Sequence, residues 1–123
     1  MGSVGNAEIK NPLYSNSSII SEAQEELEKR AKNNSESEVY IDDIFVDRII
    51  SPQNYLEKDR LVEDANKGIE NIPTVEVIKY KDEYILTDGN HRVVVAKQNN
   101  VSKINARVID LDKKAIRKKR SWW

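Results

Sequence analysis

The chain has 123 residues, enough for one small domain around a single core, and its 38% apolar and 33% charged content suits a soluble protein with a modest core. It has no cysteine and one histidine, which excludes disulfides, thiolate zinc sites and thiol catalysis and leaves a carboxylate-held Mg²⁺ as the open metal chemistry. A net charge of −1 does not advertise a nucleic-acid binder, and no apolar run approaches the roughly 20 residues that cross a bilayer, so no membrane partner is expected.

Residues 1–18 are rich in Gly, Asn and Ser and read as a flexible or loosely docked arm, with none of the basic and apolar regions of a signal peptide. Ser21-Glu22-Ala23-Gln24 has the form of a capping box and predicts a helix over residues 22–32. Its apolar stripe is narrow: Ala23, Leu27 and Ala31. Residues 33–37 read as a linker. The compact domain is expected over residues 39–110, with residues 1–38 as an N-terminal arm and helix and residues 111–123 as a basic, Trp-ended tail.

Within that domain, residues 39–46 are β-rich, with Asp42-Asp43 as a solvated strand edge, and residues 47–55 form a loop around Pro52. Residues 56–67 read as a helix with an apolar face of Leu61, Val62 and Ala65, stopped by Gly68. Alternation over residues 74–80 predicts a half-buried strand. A turn at Lys81-Asp82-Glu83 returns it antiparallel through residues 84–87. After the turn Asp88-Gly89-Asn90-His91-Arg92 comes a helix over residues 93–100. Its three successive valines are poor helix formers but suit a helix buried on most sides. Residues 104–109 form a last strand. The fold class is therefore α/β (α+β), a small mixed sheet with helices.

The turn at residues 87–92 carries the chemistry. A glycine turn between a strand and a helix offers free backbone N–H groups to an anion. Gly89 allows close approach, and Asn90 can donate its amide there. Arg92 supplies a rigid fork that matches phosphate oxygens, and His91 donates or exchanges a proton. Asp88 can accept a proton from an attacking hydroxyl or hold Mg²⁺ against phosphates. Read blandly, the same residues make a tight turn with Asp88 as cap and Arg92 paired to Asp88 or Glu57. Lys58 and Arg60 form a second cation-rich spot, with Glu57 beside them as a candidate general base and Asp47 and Ser51 as weaker candidates. The tail, residues 113–123, sets lysines and arginines beside Trp122 and Trp123, which suits nucleic-acid contacts or docking on an apolar patch.

The order of elements around Asp88-Gly89-Asn90-His91-Arg92, with Ile72-Pro73-Thr74-Val75 before it and Ile104-Asn105-Ala106-Arg107-Val108 after it, resembles the ParB/sulfiredoxin superfamily over residues 41–110. Partition ParB proteins carry Gly-Glu-Arg-Arg at this place and bind CTP. Sulfiredoxins carry Gly-Cys-His-Arg, with the cysteine attacking and the His-Arg pair on ATP phosphates. Asn90 stands at that cysteine position, which removes sulfinic-acid repair. The free serine kinases, with Asp-Gly-His-His-Arg, are nearest in pattern. The resemblance implies a nucleotide-binding domain that takes ATP or another NTP, with Mg²⁺, at Gly89, Asn90, His91 and Arg92. It adds Lys58 from the preceding helix and leaves Asp88, His91 and Glu57 as the catalytic candidates. Phosphotransfer or NTP hydrolysis is the first expectation. The alternative is a ParB-like nuclease acting in the cytoplasm, delivered as the toxin module of a larger secreted bacterial protein, with an immunity protein as partner. A non-catalytic nucleotide- or DNA-binding module is the third.

Overall fold

A computed structural model describes residues 7–68 and 72–117. The elements run β1 (Glu8–Lys10), α1 (Ser18–Lys32), β2 (Ser35–Glu36), β3 (Glu38–Phe45), a 3₁₀ turn (Val46–Arg48), β4 (Ile49–Ile50), β5 (Tyr55–Glu57) and α2 (Lys58–Asn66). They continue with β6 (Val75–Tyr80), β7 (Glu83–Asp88), α3 (Asn90–Gln98), β8 (Lys103–Asp110) and β9 (Ile116–Arg117).

Five strands form one mixed sheet in the order β3-β8-β6-β7-β4. β8 runs antiparallel to β3 and parallel to β6, while β7 is antiparallel to β6 and parallel to β4. Alternation along the strands gives each face its own core. On one face Ile44, Val77, Leu86, Ala106 and Val108 pack against Leu61 of α2 and Val93 to Ala96 of α3. On the other, Ile78, Ile85 and Ile109 pack against Ala23 and Leu27 of α1. The molecule is thus three layers, with the valines of α3 buried as their number demands. The α+β expectation holds.

Several boundaries differ from the sequence reading, each for a packing reason. α1 is capped by Ser17, which accepts from the Ile19 N–H, because Ile19 and Ile20 join the stripe that packs on the sheet. Ser21 only donates back to the Ser18 carbonyl. α2 begins at Lys58, since Leu56 is buried in β5 opposite Ile9. α3 begins at Asn90, where the Val93 N–H already reaches the Gly89 carbonyl. The expected linker holds β2, which pairs with β9 of the tail, and the expected 47–55 loop contributes β4 to the sheet.

The N-terminal segment also differs. Residues 7–15 are strapped onto residues 51–58: β1 pairs with β5, the Ser51 N–H donates to Leu13, and Ser15 donates to Ser51. Leu13 and Asn11 are buried. The compact unit therefore includes this part of the arm. Residues 1–6 of the arm, and residues 118–123 of the tail with Trp122 and Trp123, lie outside the described residues.

Candidate functional site

β7 and α3 meet at a junction one residue long. Gly89 takes φ +109°, a left-handed conformation that side chains resist. A Cβ there would also stand 2.5 Å from Val75 Cγ1, inside contact distance. Glycine is therefore required twice, by conformation and by space. As the N-cap of α3 it brings no capping side chain. The first N–H groups of α3 consequently have no intrahelical acceptor, and the positive end of the helix dipole is open.

This helix end forms one wall of a polar cavity of about 100 Å³. Residues 87–92 line it from the turn, Gln53 from the loop before β5, and Arg60 and Asp64 from α2. Arg60 and Asp64 are one helical turn apart, so both face the same way. Asp64 also lies 3.5 Å from Lys67 Nζ. Arg60 makes no ion pair among the described residues, so its charge is available to the cavity.

Arg92 is committed to the protein. Its Nη2 donates to Asp88 Oδ2 at 3.0 Å and its Nη1 to the Thr74 carbonyl at 2.9 Å. It ties the turn to the entry of β6 and shares its charge with Asp88. The Asp88 carboxylate is itself mostly exposed, at 68% of its side chain, so it stays open to solvent and ligand on its far side.

His91 is 6% exposed, and its Nε2 accepts the Glu57 N–H at 2.9 Å. An accepting Nε2 means a neutral ring with its proton on Nδ1. Burial lowers its pKa first and the Arg60 charge lowers it further, outweighing the carboxylates of Asp64 and Glu57. His91 thus receives the N–H of Glu57, the N-cap of α2, through one nitrogen and keeps a donor on the other.

Asn90 is held on both sides. Its Oδ1 accepts from Asn11 Nδ2 at 3.0 Å and from Ser51 Oγ, and its Nδ2 donates to Gln53 Oε1 at 3.3 Å.

The sequence candidates divide accordingly. Asp88, Gly89, Asn90, His91 and Arg92 converge on one cavity. Lys58 does not line it; α2 starts two residues later than expected, and the phase of the helix puts Arg60 there instead. The exposed Glu57 does not line it either and gives only its backbone N–H, to His91, and Asp47 sits away in the 3₁₀ turn. Gln53, Asp64 and Asn11 were missed. The Arg60–Asp64 spacing beside buried Leu61 was the available sign for one of them. No group of three metal-ligating side chains exists among the described residues, so a cation here would have Asp88 and Asp64 as its protein carboxylates.

No protein-family model matches the chain, and no curated protein is similar to it in sequence. Solved structures are similar in fold. A protein of Agrobacterium tumefaciens is 18% identical, with a TM-score of 0.53 over 59% of this chain and 40% of its own. Sulfiredoxin of Arabidopsis thaliana is 17% identical, with a TM-score of 0.47 over 56% of this chain and 83% of its own. The chromosome-partitioning protein ParB of Caulobacter crescentus, complexed with CTP-γ-S, is 17% identical, with a TM-score of 0.49 over 60% of this chain and 46% of its own. The chain thus spans less than half of two of these three proteins. The chain has an α+β fold with a mixed sheet, and at these identities the likeness to the solved structures is one of fold alone.

Proposed function

We propose that the turn of residues 87–92, with Arg60, binds the phosphate end of a nucleotide, and that the domain is an ATP- or other NTP-dependent phosphotransferase or NTPase. The observation that carries this reading is the start of α3, which has no side-chain cap, opening into a polar cavity beside Arg60, an arginine without an ion pair among the described residues. Backbone N–H groups, a helix dipole and a guanidinium converging on one small volume describe an anion site. The cavity, about 100 Å³, suits one phosphoryl group and not a nucleoside, since pockets for drug-sized ligands run to roughly 300–1,000 Å³. The sugar and base would lie outside it.

Within this reading Asp88 is the catalytic candidate, as an exposed carboxylate beside the anion that can accept a proton from an attacking hydroxyl. His91 donates from Nδ1 and holds α2 with Nε2. The donor set fits Mg²⁺, which is bound by one or two carboxylates plus substrate phosphates. Asp88 and Asp64 would hold it, and it would neutralise charge on the phosphates.

Calorimetry with Mg²⁺ and each common nucleotide tests the reading. Binding is expected in the wild type, and Arg60→Ala should weaken it about tenfold, the size of one charge-assisted hydrogen bond. Absence of heat with every nucleotide and with orthophosphate sinks it. Incubation with plasmid DNA and RNA separates the nuclease alternative, which requires cleavage.

A further inference from the structure

Asn90 faces the cavity with an amide that could present either of two polarities. Its carbonyl end would repel an anion and its NH₂ end would attract one. The two ends are nearly the same shape, so packing alone does not choose between them. The hydrogen bonds around it do.

The choice begins at the backbone. The Leu13 N–H is a donor and needs an acceptor, which is Asn11 Oδ1 at 3.0 Å. The Gln53 carbonyl is an acceptor and takes Asn11 Nδ2 at 2.9 Å. Those two groups cannot exchange roles, so the Asn11 amide has one orientation. Asn11 is only 2% exposed, and water does not substitute for either partner. Its second Nδ2 hydrogen then points to Asn90 at 3.0 Å, which must answer with Oδ1. Ser51 agrees. Its Oγ accepts the Gln53 N–H at 3.1 Å, so its proton goes to the same Asn90 Oδ1.

A second chain reaches Asn90 from the other side. Gln53 Nε2 donates to the Tyr55 carbonyl at 2.8 Å, which turns Gln53 Oε1 toward Asn90 Nδ2. Backbone groups thus fix the Asn90 amide from two directions with the same result. One Nδ2 hydrogen goes to Gln53, and the other has no partner among the described residues.

We infer that Asn11, Ser51 and Gln53 are positioning residues that force Asn90 to present its NH₂ to the bound phosphate group, so that the N-terminal strap sets the polarity of the site. This rests on the phosphate-binding reading above. Asn11 acts through Asn90 alone and does not touch the ligand.

The first test needs no variant. Orthophosphate is titrated into ¹⁵N-labelled full-length protein while the Asn90 side-chain NH₂ resonances are followed. They should shift saturably, with the same dissociation constant that calorimetry gives. In Asn11→Ala one of the two chains that fix the amide loses its Asn11 donor, and only the Ser51 hydroxyl and the 3.3 Å contact to Gln53 Oε1 oppose its turning over. Affinity for orthophosphate and for ATP should fall about tenfold, and the Asn90 NH₂ shift should shrink with it. Asn90→Ala should weaken binding to the same degree while the strap keeps its backbone pairing with residues 51–58, and it serves if Asn11→Ala does not fold. If the wild type binds phosphate while the Asn90 NH₂ resonances stay still, the inference is overturned and the anion site stands. Full affinity in a folded Asn11→Ala, or in Asn90→Ala, overturns it as well. A wild type that binds neither orthophosphate nor nucleotide overturns the phosphate reading and this inference together.

Discussion

His91 does two jobs that depend on its protonation state. Its Nε2 can accept the Glu57 N–H only while the ring is neutral, and burial and Arg60 keep it so. The unfolded chain has no such constraint and protonates near pH 6.5. With the folded pKa lowered, the contribution of His91 is fully present above about pH 6.5 and is lost as pH falls through the folded value. His91 is the only histidine, so no other imidazole shares this window. His91→Gln keeps an acceptor on a similar reach and does not titrate. Urea unfolding at a series of pH values between about 7.5 and 5 should show wild-type stability falling and the variant nearly flat. Equal declines in both would move the effect to the carboxylates.

At the scale of elements, the strap of residues 7–15 matters as much as the β7–α3 junction. It adds β1 to β5, places Leu13 in the main core and carries Asn11 to the site. Leu13 is 4% exposed, so Leu13→Ala should cost about 2–4 kcal/mol in urea unfolding, as large-to-small changes in cores do. A change below about 0.5 kcal/mol would mean that the strap is only a surface ornament. These elements also divide by how far the sequence exposed them. The hairpin β6–β7, the turn and α3 are contiguous, and their alternation, glycine and buried valines are local facts that a sequence carries. Arg60 rather than Lys58 depended on where α2 starts, and burial of Leu56 in β5 decided that. Asn11 meets Asn90 across 79 residues, and nothing in a polar, serine-rich stretch announces such a partner. β2 and β4, two residues each, are strands only because neighbours pair with them.

In the whole molecule, the site lies at the carboxyl end of β7, flanked by β6 and β4 in the sheet. Helices α2 and α3 cover one face, and the loop before β5 and the start of α3 open together at its rim. α1 covers the other face only in part, leaving Ile41 and Phe45 of β3 exposed. Arg30 of α1 closes that layer by donating to the Leu111 and Lys113 carbonyls past the end of β8. The architecture thus frames a turn whose first backbone donors take no side-chain cap from Gly89. The most direct measurement of the central claim is a titration of ¹⁵N-labelled protein with ATP and Mg²⁺, read at the backbone amides. Saturable shifts that are largest at Asn90, His91 and Arg92 are predicted. Shifts centred elsewhere, or none at millimolar ATP, would contradict a phosphate site at the start of α3.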